Sequence, residues 1–399
     1  MVKMPVRAIV AAIAAAAERW ANRAFEPRAR ARDAVVARTG YAPSAVDYAF
    51  DALFGSIRGN QIEAVIVDEL GCLDVLDHFV SRAGRPAARA LPIGRVCILS
   101  SRTTIGVAIV PAIFALCAKC DVLVKDRDDH LTGAFFQTLA RELPSFRDAA
   151  VAQSWESAAA AVDLNGFAAV VAFGDDATLA QLGAELRFPT SLLAFGSKAS
   201  AGYVTRESLD TERSAAQIAA SAARDLVLYE SEGCLSLHTI FIENGGAISP
   251  ERFAEMLSLA VRAAAVEFPP RADAATALRL AAARELALLR TGAAHSDPGA
   301  GYLVALEPGL HKPPLFLPRA IALHCVESPA QTAAYLERHG ISLEALAVSS
   351  TRPDLLELAV RIKAARVTTF GSLQAPPLGA FHGGRPRVAE FVRWIVDEA

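Results

Sequence analysis

Cys234 is the residue in this sequence whose type and position best suit nucleophilic chemistry. It lies in Glu232-Gly233-Cys234-Leu235-Ser236, between a predicted helix and a predicted strand, where glycine permits a close backbone approach. A free thiol has a pKa of ~8.5, so a nucleophilic cysteine needs a local field that favours the thiolate. The neighbouring Glu230 and Glu232 oppose ionisation unless their side chains point away. Cys234 is therefore the candidate nucleophile, and its alternative role is that of a small buried apolar residue.

The other five cysteines have patterns typical of packing residues. Cys117 and Cys120 form a CxxC pair on an apolar helical segment, without a second cysteine or histidine pair, so we expect no metal site. Six cysteines in 399 residues do not make a disulfide scaffold and favour a reducing, cytoplasmic compartment. We assign packing roles to Cys72, Cys97, Cys117, Cys120 and Cys325.

Lysine is scarce in this chain, which has 6 lysines and 34 arginines. Lys125 ends the apolar run DVLVK, and Lys198 follows Gly196-Ser197. Most lysines are solvated surface residues, but a position at the end of a strand in a lysine-poor chain favours a functional role. The chain contains neither GxGxxG nor GxxxxGK[ST], so it lacks the usual dinucleotide fingerprint and the P-loop.

Composition excludes several classes of protein. A net charge of −3 and a pI near 6.3 give no electrostatic case for nucleic-acid binding. A hydrophobic fraction of 53% excludes disorder. The N-terminal segment 1–21 predicts an amphipathic first helix rather than a secretory signal. The apolar stretch 105–118 is shorter than ~18 residues and contains Pro111, so we expect no membrane span.

The elements that must position these residues follow an α/β pattern. Residues 1–90 are predicted to be mostly helical, with Ser44 as the cap of one helix. From residue 92, apolar strands alternate with helices, which predicts a parallel sheet covered by helices on both faces. Such sheets bind ligands at the carboxyl ends of their strands. A last helix is predicted within 381–399. The residues predicted to lie at these carboxyl ends of the strands are 100–104, 125–128, 174–176 and 196–198.

Four segments in this order resemble the aldehyde dehydrogenase superfamily: AKCDVLVK (118–125), AFGDDATL (172–179), AFGSK (194–198) and EGCLS (232–236). The segments 39–54, 67–79 and 371–394 are similar to its LuxC-type acyl-CoA reductase branch, so the resemblance covers almost the whole chain. It implies an aldehyde dehydrogenase-like α/β fold with a Rossmann-type cofactor domain and an α/β catalytic domain. The expected regions are 1–90 (helical, packing on the cofactor domain), 91–205 (NAD(P)-binding), 206–365 (catalytic) and 366–399 (returning to the cofactor domain or forming an oligomer contact).

The resemblance also implies a cofactor site. Lys125 matches the lysine that binds the adenosine ribose, and NADPH is the implied cofactor, with NADH as the alternative. Arg127 can receive a 2′-phosphate, whereas Asp128 favours the free 2′-hydroxyl of NAD. The remaining cofactor-binding candidates lie in the two glycine-containing turns: Gly174, Asp175, Gly196 and Ser197.

Departures from the superfamily pattern indicate the reaction. Ala194 stands where hydrolytic members have the glutamate that activates water, so the acyl-enzyme should resist hydrolysis and be open to reduction. Thr103 falls closest to the asparagine that binds the oxyanion, and losing such a donor typically costs roughly 10²–10³ in rate. Glu230-Ser231 replaces Asp-Gln before the cysteine, and the tail has His382-Gly383-Gly384 in place of His-Asp-Gly.

We therefore predict NAD(P)H-dependent reduction of an acyl-CoA or acyl-carrier thioester to an aldehyde through acyl-Cys234. The resemblance implies a medium to long acyl chain, a homo-oligomer and a partner protein that can deliver the acyl group. Two alternatives stay open at this point. One is an acyl-Cys transferase or thioesterase-like protein without reductase activity, and the other is a non-catalytic partner subunit of a reductase complex.

Overall fold

The structure is a computed structural model. It describes residues 4–82, 84–101, 103–126, 130–155, 162–291, 293–297, 299, 301–307 and 309–398. The chain divides into two compact units. The first consists of Met1–Thr39, Val46–Ser197 and Pro377–Ala399, and the second of Gly40–Ala45 and Lys198–Pro376. The central segment of the first unit ends at Ser197, whereas the predicted cofactor domain extends to residue 205. The difference arises because residues 199–204 form a strand in the second unit's sheet.

Helices form the beginning of the first unit, as predicted. They are α1 (Val6–Ala21), α2 (Glu26–Thr39), α3 (Pro43–Ser56) and α4 (Gly59–Leu70). Trp20 is fully buried at the end of α1, and its indole Nε1 donates to Thr138 Oγ1 at 2.9 Å. The rings of Phe50 and Phe54 lie within 6.3 Å of the Trp20 ring centroid. This aromatic cluster packs the helical region against the rest of the first unit.

The first unit contains a five-stranded parallel sheet in the order β5-β4-β3-β6-β7. Its strands end close to the predicted positions because each is an apolar run bounded by polar or glycine residues. The strands are β3 (Arg95–Leu99), β4 (Asp121–Lys125), β5 (Ala150–Gln153), β6 (Ala169–Phe173) and β7 (Ser191–Phe195). The helices between them are α5 (Ile109–Cys117), α6 (Leu131–Glu142), α7 (Phe146–Ala149) and α8 (Asp176–Glu185).

The C-terminal tail forms a strand, so the predicted terminal helix is wrong. Strand β15 (Val392–Asp397) pairs antiparallel with β2 (Arg85–Pro92), which also pairs with β1 (Val80–Arg82). The apolar residues that suggested one helical face, such as Trp394 and Ile395, are partly exposed instead. The backbone ladder to β2 decides the conformation here, because it satisfies N–H and C=O groups whichever way the side chains face.

The second unit contains a seven-stranded sheet in the order β10-β11-β12-β9-β8-β13-β14. All neighbours are parallel except β10 and β11. Residues 366–369 pair with β13, so this part of the predicted C-terminal segment belongs to the second unit. The strands are β8 (Ala199–Val204), β9 (Leu237–Glu243), β10 (Ala294–His295), β11 (Leu303–Glu307), β12 (Ala320–Val326), β13 (Leu343–Val348) and β14 (Arg366–Thr369).

Five helices cover this sheet among the described residues: α9 (Glu212–Val227), α10 (Pro250–Glu267), α11 (Ala274–Thr291), α12 (Pro329–Arg338) and α13 (Pro353–Arg361). Ser44 does not cap α3, which begins one residue earlier at Pro43. Its hydroxyl instead donates to the Glu267 carbonyl at 2.5 Å. Across the described residues, no helix combines the length and hydropathy needed to cross a membrane.

Candidate active site

Cys234 lies in a hydrogen-bonded turn just before β9. The Gly233 N–H donates to Ser236 Oγ at 3.2 Å, and the Ser236 N–H donates back to the Gly233 carbonyl at 3.0 Å. The Cys234 carbonyl accepts a 2.9 Å hydrogen bond from Ser200 Oγ at the start of β8. The residue is half-buried. The turn therefore holds the Cys234 backbone rigidly while part of the side chain stays accessible.

The segment that leads into this turn has an unusual backbone. Tyr229, Glu230 and Ser231 all adopt left-handed conformations, with φ between 54° and 56°. Non-glycine residues rarely do so, and each costs roughly 1–2 kcal/mol. The Ser231 hydroxyl donates to the Leu226 carbonyl at 2.7 Å. Strong surrounding contacts are needed to keep three consecutive residues in this region of φ/ψ space.

Two glutamates supply those contacts, and both have partners of their own. Glu230 is buried and accepts hydrogen bonds from the buried Arg319 guanidinium, the shorter ones at 2.6 and 3.0 Å. Glu232 accepts from Arg271 Nη2 at 2.6 Å and from the Tyr41 hydroxyl at 2.8 Å. The negative charges that threatened to suppress ionisation of Cys234 are thus neutralised by these arginines.

A different charged pair affects the nucleophile. Burial and, to a smaller extent, the Glu344 carboxylate raise the pKa of the Cys234 thiol to about 11, while the Lys198 ammonium acts in the opposite direction. Lys198 Nζ lies 3.1 Å from Glu344 Oε2. Arg366, on β14, is another cation close enough to interact electrostatically with Cys234. The thiol is therefore protonated at neutral pH and needs a proton acceptor before it can attack. Sequence reasoning missed Glu344 because no motif contains it.

The segment after β14 holds the other side of the nucleophile turn. Asp225, fully buried near the end of α9, accepts hydrogen bonds from the N–H groups of Gly371 at 2.6 Å and Leu373 at 3.2 Å. Gln374 Nε2 donates to the Asp225 carbonyl and to Ser236 Oγ, both at 3.2 Å. Residues 371–374 are therefore linked to the turn that carries Cys234.

The predicted cofactor residues of the first unit lie at the carboxyl ends of its strands. Lys125 ends β4, and its ammonium lies 5.3 Å from the centre of the Trp155 ring. An ammonium beside an aromatic ring at a strand end suits a ribose or adenine ligand. Arg127 and Asp128, the residues predicted to select the cofactor, lie outside the described residues.

Two carboxylates of the protein, those of Asp175 and Asp176, lie at the amino end of α8. Asp175 caps the helix by accepting from the Thr178 N–H at 2.8 Å and the Thr178 hydroxyl at 2.9 Å. These hydrogen bonds lower the pKa of its carboxyl, so it is charged at neutral pH. A Cβ at Gly174 would lie at least 3.8 Å from other atoms, so internal packing does not require this glycine. The Asp175 carboxylate therefore occupies one N–H group at the end of α8 where a pyrophosphate usually binds.

Gly196 and Ser197 contact the same helix. The Ser197 N–H donates to Asp176 Oδ1 at 2.8 Å, and a Cβ on Gly196 would lie 2.3 Å from that oxygen. A side chain at 196 would displace the Asp176 carboxylate from the Ser197 N–H, and a cofactor role for Gly196 and Ser197 stays a prediction. Thr103, the predicted oxyanion donor, is exposed in the loop after β3 in the first unit.

An aromatic stack closes the carboxyl ends of β6 and β7. The Phe173 and Phe195 rings are stacked with centroids 4.9 Å apart, and the His382 ring lies 4.7 Å from Phe195. His382 belongs to the segment that replaces His-Asp-Gly in the tail. The structure places its ring next to the strand ends that carry the predicted cofactor residues.

A comparison with family models gives one match, to the family described as acyl-CoA reductase (LuxC), over residues 1–394. The chain belongs to the LuxC acyl-CoA reductase family. It is therefore an oxidoreductase that reduces an acyl thioester to an aldehyde. None of the curated proteins compared with the chain matches it significantly in sequence.

Solved structures with the same fold are aldehyde dehydrogenases and related enzymes. A NAD-dependent benzaldehyde dehydrogenase from Corynebacterium glutamicum superposes with a TM-score of 0.71 at 16% identity, over 98% of this chain and 84% of that one. The glyceraldehyde-3-phosphate dehydrogenase GapN from Methanocaldococcus jannaschii, complexed with NADP, gives 0.72 at 11% identity over 98% and 89%. Aldehyde dehydrogenase 21 from Physcomitrella patens gives 0.69 at 10% identity over 99% and 86%. The predicted aldehyde dehydrogenase-like fold is thereby confirmed.

Proposed function

We propose that the reductase works through a thioester between Cys234 and the acyl group of an acyl-CoA or acyl-carrier substrate. The observation that carries this proposal is the hydrogen-bonded turn around Cys234. Ser200 donates to the Cys234 carbonyl, Ser236 accepts from the Gly233 N–H, and Cys234 itself is half-buried. Cys97, Cys117 and Cys120 are buried, with at most 1% of each residue exposed, so they are less accessible to a substrate thioester than Cys234.

The reaction proceeds in two transfers. The Cys234 sulfur attacks the thioester carbonyl, its S–H proton is removed, and the carbon–sulfur bond to CoA breaks with CoA leaving as the thiol. The acyl-Cys234 carbonyl is then reduced by a hydride, which a nicotinamide cofactor held at Lys125 would supply when bound. The carbon–sulfur bond to Cys234 then breaks, the aldehyde leaves, and the thiolate is regenerated.

Separate residues are proposed to stabilise the oxyanion and to favour the aldehyde over the acid. The Cys234 N–H and the Thr103 hydroxyl are the proposed donors to the oxyanion that forms in each transfer. Ala194 occupies the sequence position where hydrolytic members of the superfamily have a base, so water lacks activation and the acyl-enzyme persists until hydride arrives.

NADPH is the proposed cofactor, with Lys125 at the adenosine ribose and Arg127 at the 2′-phosphate. Asp128 would favour NADH instead. The carboxylate of Asp175 is unfavourable near a pyrophosphate because both are negative. We therefore expect Asp175→Asn to lower the KM for the cofactor while kcat stays close to that of the wild type, and steady-state kinetics with NADPH and NADH would show this. A raised KM would mean that Asp175 helps to bind the cofactor.

The remaining parts of the proposal concern partners. We propose an acyl chain of medium to long length, a homo-oligomeric assembly, and delivery of the acyl group by CoA or by a carrier protein. Assays with acyl-CoAs of increasing length, together with light scattering of the purified chain, test these points directly.

Trapping the acyl-enzyme tests the central step. The protein is incubated with tetradecanoyl-CoA, examined for an adduct on Cys234 by mass spectrometry, and then given NADPH. We expect an adduct that disappears as tetradecanal forms, and no adduct with Cys234→Ala. Cys325→Ala is the matched control, because Cys325 is also partly exposed in the second unit and should not affect the reaction. An adduct that persists with both cofactors, or equal behaviour of Cys234→Ala and wild type, would contradict the proposal.

A further inference from the structure

Glu344 is placed beside the nucleophile by an irregularity in the second unit's sheet. Leu343 pairs with Ala199 and Ala345 pairs with Ser200, so Glu344 is an extra residue without a counterpart on β8. Such bulges turn a side chain in a new direction and are frequent next to active sites. This one lies opposite Ser200, whose hydroxyl holds the Cys234 carbonyl at 2.9 Å.

The Glu344 carboxylate is buried, with a side-chain exposure of 5%, yet it can carry a charge because Lys198 Nζ lies 3.1 Å away. Removing a carboxylate from water without a partner costs several kcal/mol. The second unit's sheet therefore has a buried, paired carboxylate, that of Glu344, close to the turn that carries Cys234. The chain lacks the usual active-site glutamate of the superfamily, since Ala194 stands at that position.

The charges that face Cys234 come from three elements. Glu344 lies on β13, Lys198 immediately precedes β8, and Arg366 is on β14. Two cations and one anion surround a thiol that is protonated at rest. Among these groups, only the carboxylate can accept a proton near neutral pH.

We infer that Glu344 is the proton acceptor for Cys234 during acyl transfer. The proton moves from the thiol to the Glu344 carboxylate, directly or through one water, as sulfur bonds to the acyl carbon. It is then passed to the CoA thiolate as the carbon–sulfur bond to CoA breaks, so Glu344 returns to its charged form and the step balances. Lys198 keeps the carboxylate charged between turnovers. This inference rests on the proposed role of Cys234.

His238 is the alternative proton acceptor. It lies on β9, which, like β13, pairs with β8. It is the extra residue at a second irregularity, between the pairs Ser200–Leu237 and Ala201–Thr239, and its side chain is buried. Its ring lies 5.0 Å from Phe316, and burial lowers the pKa of the His238 imidazole to about 4, so the ring is a weak proton acceptor, whereas the Glu344 carboxylate has the Lys198 ammonium 3.1 Å away. Glu344 is therefore the better-supported acceptor.

Glu344→Gln separates the charge effect from the proton transfer. Removing a negative charge beside the thiol should lower its pKa, so iodoacetamide should alkylate Cys234 several-fold faster at pH 8. Loss of the acceptor should slow acylation by tetradecanoyl-CoA roughly tenfold or more at the same pH. The acylation defect should shrink as the pH rises toward 11, where the thiolate forms without help. These two rates moving in opposite directions would not result from a general structural defect.

Control variants complete the test. Glu307→Gln removes another buried glutamate that is paired with an arginine in the same unit, at 2.9 Å, and should change neither rate. Glu344→Asp, which keeps the carboxylate, should recover part of the acylation rate and serves if the glutamine variant does not fold. Faster alkylation with unchanged acylation would overturn the inference, as would a defect that is independent of pH. Failure of the Cys234 adduct itself, seen with wild type, would instead overturn the proposed function.

Discussion

Replacing Arg319 by methionine should destabilise the second unit strongly. Arg319 is 2% exposed and donates to Glu230 Oε1 through Nε at 3.0 Å and Nη2 at 2.6 Å. Nη2 also donates to the carbonyls of Phe268 and Pro269, at 2.9 and 3.0 Å. Methionine fills much of the volume of the arginine stem but leaves the Glu230 charge buried without its partner. Such losses cost about 3–5 kcal/mol.

The same change should also loosen the nucleophile turn. Three consecutive left-handed residues before Cys234 represent a backbone cost of about 3–6 kcal/mol, and the Arg319–Glu230 pair is one of the contacts that offset it. Without the pair, residues 229–231 can relax toward ordinary φ values and shift the turn that follows. We therefore expect acylation of Cys234 to slow even at temperatures where the variant stays folded.

Hydrogen exchange is the appropriate assay, because the three tryptophans at positions 20, 155 and 394 all lie in the first unit and do not report on the second. Exchange of peptides that cover residues 228–240 measures local opening free energies around the turn. Arg361→Met is the matched control, since its ion pair with Glu337 is about half exposed on both sides and is worth roughly 0–1 kcal/mol.

If Arg319→Met and Arg361→Met change the opening free energies equally, the buried pair does not hold the turn. The double variant Arg319→Met/Glu230→Gln removes the orphaned charge and should recover more than half of the lost stability. If it recovers nothing, the loss comes from the packing of the arginine and not from the charge left behind.

Three smaller predictions concern other sites of the second unit. Burial raises the pKa of Asp225 to about 7, above its unfolded value of ~3.9, so this group lowers the free energy of unfolding as pH rises from about 4 to about 7. Asp225→Asn should remove this pH dependence of the unfolding free energy, as measured by denaturant titrations at a series of pH values. An unchanged pH dependence would show that Asp225 is not the group responsible. Gly202→Ala would place a Cβ 2.5 Å from the Phe370 ring and should lower the free energy of unfolding by about 1–3 kcal/mol. Adding Phe370→Leu should restore the stability, whereas a Gly202→Ala variant as stable as the wild type would show that the ring moves freely. Lys363 is exposed with φ of 53°, so Lys363→Gly should raise the unfolding free energy by about 0.5–1 kcal/mol, and a lower midpoint in thermal melts would be the opposite of this expectation.

Local patterns determined the elements that the sequence predicted correctly. The strands at 121–125, 169–173 and 237–243 are apolar runs whose limits are set by neighbouring polar or glycine residues, so they are visible without knowing their partners. The tail was misread because its strand depends on pairing with β2, some three hundred residues earlier in the chain. Backbone pairing between distant segments leaves little trace in either segment alone.

The candidate site divides in the same way. The sequence by itself singled out Cys234 as the predicted nucleophile, Lys125 as the predicted ribose-binding lysine and Asp175 as a predicted cofactor-binding residue, because all three lie within short motifs whose order is preserved. Only the tertiary structure decided which charges surround the thiol. Glu344 follows Cys234 by over a hundred residues and reaches it through the register of β13 on β8, while Arg319 neutralises the glutamate that had seemed the main threat. Electrostatic effects depend on distance in space and on burial, and both are properties of the folded chain.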